Sequence, residues 1–406
     1  MTCYVCAFRG RRDNYQVPLA LAESGRLERF ITDAYAKRAL RQAVRHLPER
    51  WRRAVEFRSL ASLPDGRVTS LWPLAAFEQA KLQLGCSPVR TYAGMDRVFS
   101  RVAAQRARAA KADLFLYSPY AWEAFRASYR HTPRRVLFEY HPHPAAEARI
   151  LAEDVRRYPQ IARSYAEATG SRLPAAWQTR LSDAWRMADF ILCASQFTMQ
   201  TVVEAGADPA RCAVIPYGVD APAGEDDAES LLATDSGFEA LFVGSGVQRK
   251  GLHHLILAWQ RARLPERSRL TLVCRNLDPG LRDLVAASPR TRLIPGLPAS
   301  RLADLYRGST LFVMPSLVEG FGQVYLEALS HGCPVLGTSH TCLPDLGGAR
   351  EGIFLVEPGQ VDSLAAKLES LATGPLLDGI LRVRARQRAR EFTWERFRIR
   401  LNAVLP

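Results

Sequence analysis

The sequence predicts an α/β protein of two doubly wound, parallel-sheet domains facing one another across a central cleft. Three observations carry this expectation. Short apolar runs alternate with amphipathic stretches of helical length, the rhythm of βαβ units, which build a parallel sheet. The rhythm is broken by the Pro-, Gly- and acid-rich stretch APAGEDDAES at 221–230. The chain has 406 residues, and at roughly 150 residues per domain this length suits two or three domains. The expected division is an N-terminal domain over 1–220, a linker over 221–237, a C-terminal domain over 238–390 and a closing segment over 391–406.

In the first domain YVCAF (4–8) is the first expected strand, ended by Gly10 and the polar turn RRDN. Residues 15–25 follow as a helix closed by Gly25, and LERFITD as a second strand. Further strands are expected at DLFLYS (113–118) and VLFEYH (136–141), with a helix from Trp122 to Tyr129 between them. A helix over Ala175–Met187 leads into the strand FILCAS (190–195), and a helix over Gln196–Ala205 ends at Gly206. The second domain is more regular. EALFVGS, RLTLVC, TRLIPG, LFVMPS, CPVLGTS and GIFLVE read as strands, and LHHLILAWQRAR, SRLADLYRGS, VYLEALSHG and DSLAAKLESLA as helices.

Hydrophobic residues make up 48% of the chain and charged residues 24%, ordinary values for a globular protein with a full core. No run approaches the roughly 20 uninterrupted apolar residues of a membrane span. The N-terminus lacks a basic stretch followed by an apolar core and a cleavage site, so a cytoplasmic protein is expected. Lys plus Arg number 55 against 41 for Asp plus Glu, a net charge of +14. Lysine occurs only at Lys37, Lys81, Lys111, Lys250 and Lys367, so the basic excess is nearly all arginine. Such an excess attracts phosphate, whether on lipid headgroups, nucleotides or nucleic acid. No zinc-finger spacing, aromatic-rich RNA motif or repeated basic region accompanies it, and nucleic acid is not an expected partner. Cysteines stand at 3, 6, 86, 193, 212, 274, 333 and 342. Cys3 and Cys6 form a C-x-x-C, but in the strand-like run TCYVCAF positions three apart point to opposite faces. With no second ligand pair they read as structural thiols in a reducing compartment, and no metal site is expected.

The chemistry concentrates in LFVMPSLVEGFGQVYLEALSHGCPVLGTSHTCLPDL, which begins at Leu311. A buried strand runs into Pro315-Ser316, then into the loop Glu319-Gly320-Phe321-Gly322 and a helix that starts near Gln323. Glycines on both sides of Phe321 let a ligand approach main-chain N–H groups. Those groups open a helix whose dipole favours an anion, so a phosphate or diphosphate belongs there. Glu327 lies a turn into the helix and reaches back over the same pocket. Two carboxylates beside a phosphate are costly unless they bind hydroxyls, which points to a sugar or ribose.

The pair Glu319 and Glu327 with EGFG at its head, followed by EALSHGCPVLGT and LPDL, resembles the signature of retaining glycosyltransferase family 4. The resemblance implies the GT-B fold of two Rossmann-like domains and metal-independent transfer of a sugar from a nucleotide-diphosphate sugar, with no cofactor. It implies that Glu319 contacts the donor sugar, that Glu327 binds the ribose hydroxyls, and that the amides of Gly320, Phe321, Gly322, Gln323 and Val324 hold sugar hydroxyls and diphosphate. A second similar segment is LFVGSGVQRKGL at 241–252, a turn through Gly244 and Ser245 followed by Arg249 and Lys250. The arginine usual in that turn falls on Ser245, so its contact is missing. Lys250, with Arg249, is expected to neutralise the leaving diphosphate, the role a metal plays elsewhere. A third similar segment ends in PYGVD at 216–220. The family also places a histidine after an acceptor-domain strand near the donor sugar. VLFEYHPHP offers His141 and His143, and His141 is chosen because it directly ends the strand and so faces the crevice. The resemblance thus implies Glu319, Lys250 and His141 as catalytic residues.

At the N-terminal loop the family's two glycines are reduced to Gly10, followed by Arg11 and Arg12. These three are the expected acceptor contacts, although the arginines also read as solvated loop charges. The implied acceptor is an envelope or other glycan, a lipid or a small molecule. The closing segment FTWERFRIRLNAVL resembles the helix that crosses back to the first domain in this fold. A nucleotide-sugar epimerase of the same fold and a catalytically degenerate nucleotide-sugar-binding protein, the latter motivated by Ser245, are the alternatives. Finally, KRALRQAVRHLPERWRR at 37–53 carries Leu40, Val44, Leu47 and Trp51 on one helical stripe, interrupted at Pro48. It reads either as a basic amphipathic surface for the anionic inner face of a membrane or as a core-facing helix with a solvated arginine face.

Overall fold

The computed structural model of the chain describes residues 2–46, 48–169, 175–220, 237–374 and 379–406. Its central strands β1, β4, β8, β11 and β12 are apolar and aromatic runs buried on both faces, as parallel strands under helices must be. One sheet contains seven strands in the order β3-β2-β1-β4-β5-β6-β7. They are β1 Tyr4–Ala7, β2 Leu27–Thr32, β3 Val68–Ser70, β4 Asp113–Tyr117, β5 Arg135–Glu139, β6 Phe190–Cys193 and β7 Cys212–Val214. The other contains six, in the order β10-β9-β8-β11-β12-β13. These are β8 Glu239–Val243, β9 Arg269–Val273, β10 Thr291–Ile294, β11 Leu311–Val313, β12 Val335–Thr338 and β13 Ile353–Val356. Every pairing is parallel, including β1 with β4 and β8 with β11. The winding reverses at those two pairs, and in a doubly wound sheet the crevice opens beyond the carboxyl ends of the strands at such a reversal.

Four loops therefore meet at the cleft: those after β1, β4, β8 and β11. The domains touch closely around it. Leu151 and Phe197 of the first domain pack with Leu317 and Val318 of the second, and Phe197 stacks on His340 at 4.6 Å. The helix Trp394–Val404 lies back on the first domain, where Asn402 Nδ2 donates to Ala20 O at 2.9 Å and Arg398 pairs with Glu23 at 2.8 Å. The stretch 221–236, most of the expected linker, lies outside the described residues. All eight cysteines are unpaired, Cys6 buried and Cys3 partly exposed.

The structure corrects several local expectations. The helix expected over Ala175–Met187 ends at Ser182, and a separate 3-10 turn spans Ala184–Met187. The helix expected from Trp122 begins earlier, at Ser118, directly off β4. Helices Trp72–Gln83, Pro88–Ala110 and Pro144–Arg157 and strand β3 went unanticipated. The core-facing reading of 37–53 is overturned. Helix Glu49–Phe57 buries none of its residues, Trp51 is 53% exposed and Leu40 39%, while Val44 alone of the described stripe is buried. Leu47 lies outside the described residues. Pro48 breaks the segment, as its missing N–H and fixed φ require.

Candidate active site

The turn after β8 and the loop after β11 are locked together by backbone geometry. Gly251 has φ +66°, and a Cβ there would lie 2.0 Å from Pro315 O. Only glycine lets the turn sit on the end of β11, and Leu317 N then donates to Arg249 O at 2.9 Å. This contact brings Arg249 and Lys250 under the Glu319 loop. Arg249 Nη1 donates to Glu319 Oε2 at 3.1 Å, and Lys250 Nζ donates to the same oxygen. Burial alone would raise the Glu319 carboxyl, but Lys250 and Arg249 hold it at about 2. Burial, with Arg249 nearby, draws the Lys250 ammonium below its usual range against the pull of Glu319. Two cations thus face one carboxylate in a poorly solvated site, and the cluster carries one surplus positive charge as long as Glu147, which also acts on Arg249, is protonated.

Gly320 joins the domains. A Cβ on it would sit 1.9 Å from Tyr140 O and 3.0 Å from His141 Cα. Its carbonyl accepts from Ser195 Oγ at 2.6 Å and from Thr198 Oγ1 at 3.1 Å. The first domain therefore grips the Glu319 loop and sets His141 directly over it. His141 is exposed at the cleft, and the protein packed around it, and then Arg249, draw its imidazole below the usual range, which favours the neutral ring. His143 is otherwise employed. It is buried, caps helix Pro144–Arg157 through Ala145 N, and sits 2.9 Å from Ser182 O.

Beyond Gly320, Phe321 is buried edge-on against Tyr217 at 5.2 Å. Gly322 is the left-handed N-cap of the helix Gln323–Ser330. The first-turn N–H groups of such a helix have no intrahelical partner, which leaves those of Gln323 and Val324 for a ligand. Gln323 Nε2 reaches across to Gly218 O at 3.2 Å. Glu327, in the second turn, accepts from Tyr306 Oη at 3.3 Å, and burial pushes its carboxyl up. Gly244 and Ser245 follow β8 at the same edge, partly exposed.

The N-terminal loop is built differently. Gly10 N donates to Asp33 Oδ1 at 2.9 Å. The Arg11 guanidinium lies over the Phe57 ring at 5.0 Å, and that of Arg12 over Tyr140 at 4.0 Å. Asp13 accepts from Tyr117 Oη beneath them.

Sequence reasoning missed the carboxyls beside His141. A cavity of about 320 Å³ is lined by His141, Arg249, Glu139, Glu147, Glu167 and neighbouring residues. Burial pushes Glu139, which accepts from Ser118 Oγ, up to about 7. Burial likewise pushes Glu147 up to about 7 in spite of Arg249. Glu139 ends a strand and Glu147 sits in the first turn after HPHP. Their position at a sheet's carboxyl edge was the available signal.

Comparison with known proteins agrees with this geometry. The family models described as Glycosyltransferase Family 4 and Glycosyl transferases group 1 match residues 68–221 and 237–373. O-antigen chain mannosyltransferase B of Escherichia coli is 31% identical over 163 residues, 38% of this chain and 42% of its own length. A D-inositol 3-phosphate glycosyltransferase of Kineococcus radiotolerans is 33% identical over 225 residues, 47% of this chain and 50% of its own. The chain thus spans about half the length or less of the curated relatives it matches. Among solved structures, sucrose-phosphate synthase of Thermosynechococcus elongatus superposes with a TM-score of 0.62 at 15% identity, covering 100% of this chain and 98% of that one. Anabaena HepE in complex with UDP-glucose does so with a TM-score of 0.57 at 15% identity, covering 99% of each. With residues 68–221 and 237–373 matched by family models and the whole chain by the fold, the protein belongs to the family 4 glycosyltransferases of GT-B architecture.

Proposed function

We propose that the chain is a metal-independent, retaining glycosyltransferase that moves a sugar from a nucleotide-diphosphate sugar to a hydroxyl-bearing acceptor. The observation that carries this reading is the surplus positive charge of Arg249 and Lys250 at Glu319, beside the open N-terminus of Gln323–Ser330. A diphosphate supplies the missing anion, and Lys250 stabilises the charge that grows on it as the glycosidic bond breaks. Glu319 spends Oε2 on the cations and offers Oε1 to the transferred sugar. His141 presents a neutral ring to the same sugar from the other domain. Glu327 holds the ribose hydroxyls.

The cavity beside His141 suits the acceptor. Pockets for small ligands begin at roughly 300 Å³, and its charged lining is mostly carboxyl. A hydroxyl-rich acceptor fits this lining better than a strongly anionic one, because Arg11 and Arg12 are engaged on aromatic rings. The test is a panel of UDP-, GDP- and ADP-sugars, followed by donor hydrolysis and transfer in excess EDTA. Turnover of at least one donor without added metal is expected, and a strict requirement for Mg²⁺ or Mn²⁺ would defeat the proposal. Donor conversion without any acceptor or hydrolysis would favour the epimerase, and binding without turnover the degenerate scaffold.

The acceptor-side surface supports peripheral contact with an anionic bilayer. No helix among the described residues is long and apolar enough to cross a membrane. Helices Glu49–Phe57 and Trp72–Gln83 bury no residue, and they expose Trp51, Phe57, Trp72 and Phe77. Arg11 on Phe57 and Arg9 on Glu78 tie both helices to the loop after β1, so this surface flanks the cleft. Aromatic residues among arginines suit the interfacial zone of a bilayer. Flotation should show binding to vesicles containing phosphatidylglycerol and not to pure phosphatidylcholine; equal binding to both contradicts it.

A further inference from the structure

Helix Pro144–Arg157 sends Glu147, Leu151 and Asp154 along one stripe, at i, i+4 and i+7, toward the turn that carries Arg249 and Lys250. Gln248 Nε2, one residue before Arg249, donates to Leu151 O at 2.9 Å and to Asp154 Oδ2 at 2.8 Å. After Lys250 and Gly251, His253 Nε2 lies 3.1 Å from Asp154 Oδ2 and His254 Nε2 lies 2.9 Å from Oδ1. All four side chains are buried, and the Tyr158 ring covers both imidazoles at 4.9 and 5.4 Å. One carboxylate of the first domain therefore receives three donors from the second, placed on both sides of the cationic turn.

Asp154, His253 and His254 are, among the described residues, the His, Asp, Glu or Cys side chains grouped closely enough to share a metal ion. The hydrogen-bond inventory argues for a different use. Nδ1 of both histidines is buried and without a partner. If Nε2–H donates to Asp154, each Nδ1 is a bare acceptor. If both Nε2 atoms held a metal, each Nδ1 would be a buried N–H donor with no acceptor, whereas metal-bound imidazoles normally donate that hydrogen.

We propose that Asp154 is a positioning residue, a clasp that couples docking of the first domain to the placement of Arg249 and Lys250 through Gln248, His253 and His254. The part assigned to those two cations rests on the proposed function, and the clasp itself does not. An open arrangement would leave the turn without its three anchors, so the cations would be set only when the domains meet. Hydrogen bonds to a charged group are strong enough for their loss to register in the rate.

The experiment compares full-length wild type, Asp154→Asn and Gln248→Met by amide hydrogen exchange over 248–254, with and without UDP. It adds kcat and donor KM in Lys250 and Lys250→Ala backgrounds. Faster exchange at the turn is expected in Asp154→Asn, with kcat reduced about tenfold. Gln248→Met, which spares the imidazole bonds, should lose about threefold and keeps the test usable if Asp154→Asn does not fold. In the Lys250→Ala background the Asp154→Asn loss should shrink to less than about twofold, since the residue acts through that cation. Equal losses in both backgrounds, or unchanged exchange at the turn, overturn the proposal. So does exchange that quickens in EDTA and recovers with Zn²⁺, which would mark a metal site. A wild type that turns over no donor defeats the proposed function while leaving the exchange result to decide the clasp.

Discussion

The turns after β1 and β8 occupy equivalent places, each at the winding reversal of its sheet, and each brings arginine to the cleft. They use it differently. After β1, Arg12 is stacked on Tyr140 and Arg11 on Phe57, and Arg9 is paired with Glu78 and Asp96. The loop then runs through Asp13, Asn14 and Tyr15, all left-handed, at φ 48°, 49° and 62°. Such a conformation costs a non-glycine residue roughly 1 kcal/mol or more. The bonds from Tyr117 to Asp13 and from Gly10 to Asp33 help hold it. After β8, Arg249 and Lys250 share one carboxylate and keep a charge to spare. An arginine beside a glycine after a strand is thus an ambiguous sign. Whether it reads a ligand is decided by what already neutralises or covers it.

The largest effect that sharpens this contrast is at Lys250. Lys250→Ala should lower kcat by about 10²-fold or more, the scale of losing one preorganised charge stabiliser, with a smaller change in donor KM. Equal losses in KM and kcat would mean that Lys250 binds donor and transition state alike. Glu319→Ala should also lower kcat more than it raises KM. Glu327→Ala should do the reverse, raising donor KM about tenfold through loss of a bidentate, charge-assisted contact. A 2′-deoxyribose donor checks the assignment: wild type should bind it more weakly than the normal donor, and the Glu327 variant should barely distinguish the two.

The β1 turn is expected to respond in stability. Arg12→Met should cost about 1–2 kcal/mol, the worth of a partly desolvated cation–π contact, and leave acceptor KM within about twofold. A large rise in acceptor KM with unchanged Tm would break the comparison. The smallest effect concerns Glu147. Its carboxyl, pushed up to about 7 by burial, is mostly protonated below that pH, and the donor site then keeps its surplus charge. Above it the second carboxylate cancels the surplus, so donor KM should rise about threefold between pH 6 and 8. Glu147→Gln should flatten that rise, and a profile unchanged by the substitution contradicts the assignment.

The legible parts of the molecule share a physical cause. In the second domain β8, β11, β12 and β13 are contiguous apolar runs, and Glu319, Glu327 and the glycine loop lie within one short stretch that a single strand–loop–helix unit places. The first domain withheld more. Helix Pro88–Ala110 buries Met95, Phe99, Ala103 and Ala107 along one stripe, and half of that stripe is alanine, which contrasts little with its surroundings. Helix Glu49–Phe57 has the amphipathic pattern of a buried element and buries none of its residues. Glu139 ends β5 and Glu147 sits in the first turn of the helix that follows it, while Ser195 follows β6, so the parallel register of β5 and β6 brings them to one edge. His141 was legible because it lies just beyond the end of β5; Asp154, deep in an unanticipated helix, was not.

In the proposed reaction a cationic turn, Glu319 and a neutral His141 carry out retaining transfer without a metal. Proton NMR of the product formed from an α-linked nucleotide sugar in excess EDTA decides between this and its alternatives. The anomeric coupling of the first product should be that of an α-glycoside, and the reaction should proceed at the rate seen without chelator. A β-glycoside as first product, or transfer that stops in EDTA and resumes with Mg²⁺ or Mn²⁺, would contradict the account.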